Sequence, residues 1–178
     1  PAAEPIEQIR KSTDKILSIL AAPELEGPEM EEERENRILE VVDQRFDWKE
    51  MARRTLGRNW SELNENQRTE FIPLFRSLLQ RTYMDKVEGY SGEEVIYSGE
   101  RIEDPYAVVE VKIVTEEGTE IPVLYRMKRQ GSEWYVYDIT IQGVSLVMNY
   151  RSQFNSILVR SSYEKLADML KKKIEEKK

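Results

Sequence analysis

The chain has 178 residues, 39% of them hydrophobic, and a formal net charge of −7; at this length a single domain buries roughly 70% of its unfolded surface. The negative balance argues against nucleic acid as a partner, because phosphate contacts are supplied by clustered Lys and Arg. There is no Cys and no His, which excludes disulfides, thiolate nucleophiles and Cys or His metal sites, and leaves carboxylates, Lys and Tyr for any acid–base chemistry.

From Ile6 the apolar residues fall at Ile9, Thr13, Ile16, Leu17 and Leu20, one face of a helix that Pro23 stops. The stretch PELEGPEMEEERE carries seven Glu between Glu24 and Glu35. It reads as a solvated loop entering a helix whose N-terminus favours negative charge. Ile38, Leu39, Val41 and Val42 turn inward on that second helix. In FDWKEMARRTLG, Asp47 is set as an N-cap, Glu50 completes a capping box, Phe46 and Met51 are spaced as a hydrophobic staple, and Gly57 stands where a left-handed C-terminal cap is wanted. A short helix from Trp48 to Leu56 follows. LNENQRTEFIPLFRSLLQRTYMDKV repeats the logic, with Asn64 as cap, Gln67 at the reciprocal position, and Phe71, Phe75, Leu78, Leu79 and Tyr83 facing inward. Pro73, whose ring opposes the carbonyl of Thr69, is expected to kink this helix.

Beyond EGYSGEE the apolar period changes from about 3.6 to about 2. Strands are expected over Val95–Arg101, Tyr106–Thr115, Ile121–Lys128 and Glu133–Ile141, with EEG and QG at the last two joins, which makes an antiparallel meander. A three-residue turn with Gly118 in the left-handed position aligns Val109, Val111 and Ile113 with Ile121, Val123 and Tyr125 on one face. On the fourth strand Trp134 and Val136 point one way while Tyr135, Tyr137 and Ile139 point the other, which implies cover on both sides of that strand. Pro122 is expected at a bulge or facing away from a ladder partner. Gly143 then turns the chain into a helix capped by Ser145, with Leu146, Val147, Tyr150, Phe154, Ile157 and Leu158 at helical spacing. A last helix, SYEKLADMLKKKI, groups Tyr163, Leu166, Leu170 and Ile174. Its lysines suit a helix C-terminus better than a membrane-binding patch.

These elements describe one α+β domain: a helical part over about 5–88, a curved four-stranded antiparallel sheet over about 94–141, and C-terminal helices over about 145–177, the helices wrapping one sheet face. The residues carry no Gly-rich nucleotide loop, no calcium-loop acidic spacing and no other catalytic motif. No run approaches the ~18 apolar residues of a membrane-spanning helix. PAAEPIEQIR does not have the pattern of a secretion signal, and such a signal is expected to have been removed.

FDWKEMARRTLGRNW, FIPLFRSLLQRTY, IPVLYRMKRQGSEWYVYDITIQGVSLVMNYRSQF and YEKLADMLKKKI, in that order, resemble the MlaC family of periplasmic phospholipid-binding proteins, also called toluene-tolerance auxiliary proteins. The resemblance covers nearly the whole chain and is most specific from Trp134 to Phe154; Pro73 departs from it. It implies a nuclear-transport-factor-like core with an added helical subdomain, and a deep apolar pocket that takes phospholipid acyl chains with the headgroup at its mouth. It further implies a soluble, monomeric periplasmic shuttle with no cofactor and no reaction. The shuttle would move lipid between an outer-membrane lipoprotein–porin complex and an inner-membrane ABC transporter bearing an MCE-domain ring, and so maintain outer-membrane lipid asymmetry.

Given such a pocket, the candidate lining residues are Met51, Leu56, Phe75, Leu79, Leu146, Val147 and Tyr150 on helices and Val111, Ile113, Val123, Tyr125 and Val136 on strands, each of which also suits ordinary core. Arg126 and Arg151 are candidates for headgroup contact, against surface ion pairing. Asp138 stands between aromatic neighbours and reads as a hydrogen-bonded structural carboxylate. As a buried base it would anchor the alternative, an isomerase- or dehydratase-like enzyme on a cone-shaped α+β fold. A third class, a ligand-free protein-interaction module, requires a filled core.

Overall fold

The computed structural model describes residues 4–176. The chain divides into two compact units: the stretch ending at Asp47 together with Glu88–Gly143, and Trp48–Val87 together with the stretch from Val144 onward.

The first unit holds α1 (Pro5–Ala21), α2 (Glu31–Arg45), β1 (Glu94–Glu103), β2 (Tyr106–Val114), β3 (Glu120–Gln130) and β4 (Glu133–Ile141). Proline bounds α1 at both ends for different reasons. Pro5 opens the first turn, where an N–H has no intrahelical partner to lose, while Ala22, the residue before Pro23, is extended. The strands follow chain order in a curved, unclosed antiparallel sheet that ends on a two-residue fifth strand, β5 (Val144–Ser145), too short to show a period in sequence. Gly118, at φ +84, makes the β2–β3 turn, and the expected register holds: Val109 opposes Tyr125, Val111 opposes Val123 and Ile113 opposes Ile121.

The fourth strand differs from expectation. A register shift opposite Arg126 and Met127 pairs them with Asp138 and Val136, which makes Tyr137 the extra residue of a bulge. One extra residue inverts the alternation beyond it. Ile139 and Ile141 therefore join Trp134 and Val136 on the face that packs with Val109, Val111, Val123, Met127 and Ile9, so the bulge accounts for the misplaced Ile139, while the Tyr137 ring meets Tyr106 at 6.1 Å. Pro122 is not at that bulge. Its carbonyl accepts the Gln142 N–H at 3.0 Å, and within a strand a residue's N and O point to the same side. The missing N–H thus faces the end of β4, where the ladder stops at Val123–Ile141, and nothing is lost.

The edge of β4 turned away from β3 is satisfied by side chains and by a return of the backbone. Trp134 donates its N–H to Gln8 Oε1 at 2.8 Å, and its carbonyl accepts from Arg45 Nη1 at 2.8 Å. Arg45 Nη1 also donates to Gln8 Oε1 at 2.7 Å, and Gln8 Nε2 donates to Ser132 O at 3.2 Å. Two residues further along β4, Val136 O accepts the Asp47 N–H at 2.9 Å beside the Phe46–Val136 bridge. Gln8 and Arg45 thereby fasten α1 and α2 to the sheet.

The second unit holds α3 (Trp48–Leu56), α4 (Arg58–Ser61), α5 (Glu65–Glu88), α6 (Leu146–Arg160) and α7 (Tyr163–Glu175). The capping box before α5 forms reciprocally: Gln67 N–H donates to Asn64 Oδ1 at 2.9 Å, and Asn64 N–H to Gln67 Oε1 at 3.0 Å. Pro73 lies inside α5, which continues through it as one helix. Ser145 caps α6 by accepting from the Met148 N–H at 3.1 Å. Phe71, Phe75, Tyr150 and Phe154 interlock with ring centroids 5.5 to 6.4 Å apart, mostly edge to face. The lysines of α7 fall in its last turn as expected, and Lys171 pairs with Glu70, which also accepts from the Tyr163 hydroxyl.

Among the seven glutamates near α2, Glu35 is not simply solvated. Its carboxylate lies within 4.8 Å of those of Glu31 and Glu88, and burial, followed by Glu88 and then Glu31, pushes it from an ordinary 4.5 up to about 7. The folded state therefore holds a proton that the unfolded chain releases at lower pH. This contribution to stability is complete below about pH 4.5 and is lost as pH rises through about 7. Urea midpoints should fall across that window, and Glu35→Gln should flatten the fall; an unaltered pH dependence in the variant contradicts this role for Glu35.

Candidate functional site

Both units carry an apolar cluster built from residues singled out in the sequence. In the helical unit, Met51 and Leu56 come from α3, Phe75 and Leu79 from α5, and Leu146, Val147 and Tyr150 from α6, and all seven are buried. Helix α3 packs against α6, and the Phe75 ring meets Tyr150 edge to face at 5.7 Å, so the three helices share one apolar interior. Spacing explains the set: positions four apart on α5, and positions one and four along on α6, fall on a single face. Tyr83, also on α5, has its hydroxyl pushed up to about 12 by burial and then by Tyr150.

In the sheet unit, Val111 and Val123 are a directly opposed pair, Ile113 and Tyr125 flank them on the same face, and Val136 opposes Met127. Val111, Val123 and Val136 are buried, while Ile113 and Tyr125 are partly so. Burial, and then Tyr97, push the Tyr125 hydroxyl up to about 12, so this tyrosine stays neutral at any physiological pH. Ile6 and Ile9 of α1 belong to the same cluster, as do Tyr97, Ile121, Ile139 and Ile141. The α1 pair was visible as a helical face but not as a partner of this sheet. Ile139 and Ile141 were hidden by the bulge at Tyr137.

The polar candidates separate. Arg126 opposes Asp138 and Val108, and by strand alternation it projects to the face opposite Tyr125 and the apolar cluster. Asp138 is buried and accepts the Ile139 N–H at 2.8 Å. Arg151 donates Nε to the carbonyl of Arg54 at 2.8 Å, which sets a cation at the last turn of α3. Gly57, at φ +56 and ψ −126, lets the chain turn directly from α3 into α4. A Cβ at this glycine would lie 3.3 Å from Arg151 Nε. Arg53 and Arg54 both pair with Glu50, and together, Arg53 foremost, they hold its carboxyl below the usual range.

The sheet unit also has an open cleft of about 930 Å³ where α1, the end of α2 and the β3–β4 turn meet, lined by Glu7, Arg10, Lys11, Asp43, Arg45 and Glu133 among others. Both signs of charge line it, and the hydrogen bonds of Gln8 and Arg45 cross its wall. Such a lining suits water and ions, not hydrocarbon.

This unclosed antiparallel sheet with helices matches the fold of a phospholipid-binding protein. The likeness is to the phospholipid-binding protein of Ralstonia solanacearum, solved in complex with a phospholipid: TM-score 0.83, 26% identity, and 97% of each chain covered. The MlaC protein family matches residues 10–172, and the chain belongs to that family. It is also 25% identical over 118 residues to the intermembrane phospholipid transport system binding protein MlaC of Haemophilus influenzae, a match covering 64% of this chain and 55% of that relative. No helix among the described residues is long and apolar enough to cross a membrane.

Arg151→Ala removes the charged donor from the end of α3 and should destabilise the protein by about 1 to 3 kcal/mol, with Arg151→Lys recovering only part because an ammonium lacks the planar fork. Urea unfolding measures both. A loss below about 0.5 kcal/mol for the alanine variant would contradict the capping role.

Proposed function

We propose that this protein is a phospholipid carrier, holding acyl chains in an apolar pocket and moving lipid through the periplasm without catalysing a reaction. The observation that carries this reading is the likeness, over 97% of both chains, to a protein solved with a phospholipid bound. We assign acyl-chain contact to Met51, Leu56, Phe75, Leu79, Leu146, Val147 and Tyr150 in the helical unit, and to Val111, Ile113, Val123, Tyr125 and Val136 in the sheet unit. Headgroup contact is assigned to Arg151 ahead of Arg126, because Arg126 projects from the opposite sheet face. The partners that fit a carrier of this family are an inner-membrane ABC transporter with an MCE-domain ring on one side and an outer-membrane lipoprotein–porin complex on the other, with lipid asymmetry of the outer membrane as the result.

The energetics suit such a role. Exposing an acyl chain to water costs about 0.8 kcal/mol per methylene, so a chain of about 16 carbons meets a barrier on the order of 12 kcal/mol in open solvent. Pocket and bilayer are both apolar, so net transfer between them is close to neutral, and loading and unloading are both feasible. A lining tyrosine that stays neutral, as Tyr125 does, adds no charge that a hydrocarbon chain must approach.

Val147→Trp tests the assignment on α6. Bulk added to a pocket wall displaces acyl chain and fills the vacated space, whereas in close-packed core the same change costs roughly 1 to 3 kcal/mol by overpacking. Lost lipid with an unchanged urea midpoint in the delipidated variant is the expected result; retained lipid with a lowered midpoint returns Val147 to ordinary core. Val123→Glu, which sets a carboxylate in the buried sheet cluster, should lower bound lipid while helical circular dichroism persists. Normal lipid content in that variant would remove the sheet residues from the site.

A further inference from the structure

The net charge of −7 conceals a division between the two units. The sheet-bearing unit has 25 carboxylates against 11 basic residues, net −14, whereas the helical unit has 16 basic residues against 9 carboxylates, net +7. Most of that positive charge sits on one group of helices. From Trp48 to Ser61, covering α3 and α4, there are four basic residues and one carboxylate, Glu50, which already accepts from Arg53 and Arg54. From Val144 to Arg160, covering β5 and α6, there are two arginines and no carboxylate. Helix α3 packs on α6, and Asn59 of α4 donates to Asn155 of α6 at 3.3 Å. These segments therefore lie together and carry a net +5.

The outward side of α6 is unusual for a chain in which 34% of residues are charged. Met148, Ser152, Asn155 and Val159 recur at intervals of four, three and four, a line about 16 Å long on one helix face. All four are exposed, Met148 by 55% and Val159 by 74%, and Val144, just before the helix, by 58%. Exposed Lys49, Arg53, Arg58 and Arg160 lie on the same group of helices. Aliphatic side chains held outward on a group of helices with a net positive charge, where Glu50 is already engaged by Arg53 and Arg54, match the interface of a lipid bilayer. The apolar groups enter at headgroup depth and the bases meet the phosphates, arginine with its fork in particular.

We propose that the α3–α4–α6 surface docks on anionic phospholipid bilayers, so that the helical unit meets the membrane while the strongly acidic sheet unit is repelled from it. Each base near an anionic surface contributes modestly, and the contact is accordingly weak and salt-sensitive, which fits a protein that must leave again. This surface goes beyond the carrier reading, and its test is scored without reference to bound lipid, so either can fail while the other stands.

The test is cosedimentation of the full chain with vesicles of phosphatidylcholine plus phosphatidylglycerol and with vesicles of phosphatidylcholine alone. We expect binding to the mixed vesicles that high salt abolishes, with little binding to the neutral ones. Arg58→Glu/Arg160→Glu should weaken it by at least about tenfold, and Met148→Asp should weaken it further at fixed salt. Arg101→Glu/Lys112→Glu, the same charge change in the sheet unit, should leave it nearly intact. All these positions except Met148 are polar and exposed, and circular dichroism checks that each variant is folded. The proposal is overturned if the parent ignores the mixed vesicles or if both double variants lose binding equally. It is likewise overturned if the surface binds immobilised poly-glutamate but not vesicles, which would assign it to an acidic protein partner.

Discussion

The exposed edge of β4 is the constraint on which the sheet unit depends. An unclosed sheet leaves edge N–H and C=O groups in need of partners, and an unpaired edge invites pairing with another chain. Here the edge is met by Gln8 from α1, Arg45 from the last turn of α2 and the Asp47 N–H just beyond it. Those bonds do two things at once: they satisfy the strand, and they fix where α1 and α2 lie across the apolar face. Ile9, only one residue after Gln8, is thereby carried into the cluster with Val111, Val123 and Val136. The apolar surface of the sheet thus owes its position to a polar network at its margin.

That network also marks the limit of what could be read from the chain. Local rules worked where local physics decides. The Asn64–Gln67 capping box, the Ser145 cap, the left-handed Gly118 turn and the β2–β3 register all follow from a few neighbouring residues. Pro122, expected at a bulge or away from a ladder partner, lies in register opposite Lys112 and accepts from Gln142 at the end of β4. What failed was set by residues distant in sequence. The bulge at Tyr137 leaves no trace in composition, yet it moves Ile139 and Ile141 to the core face. Gln8 interrupts the apolar face of α1 between Pro5 and Ile9, a buried polar position whose partners Ser132 and Trp134 lie more than a hundred residues away. Glu35 looked like one more solvated glutamate because Glu88, which raises its affinity for a proton, is remote in the chain. The candidate site shows the same division. Helical spacing and strand alternation found the apolar residues, but where Arg126 and Arg151 point depends on tertiary placement: Arg126 stands opposite Asp138 in the sheet register, and Arg151 donates to the end of α3.

Charge and apolar surface are distributed for complementary purposes. The candidate lining is hydrophobic, and burial pushes the hydroxyl of its Tyr125 up to about 12. The charged residues are sorted by unit, negative around the sheet and positive on the helices. A carrier needs both features, an interior that tolerates acyl chains and an exterior that discriminates between surfaces it should approach and those it should not.

The central claim, that this member of the MlaC family carries phospholipid, is tested most directly by native mass spectrometry of the chain purified from a bacterial host, with lipid analysis of an organic extract of the same sample. The account predicts a bound mass close to one phospholipid per chain, released by the extraction, because an apolar pocket is poorly filled by water. Spectra showing only the mass of the bare polypeptide, with no phospholipid in the extract, would contradict it.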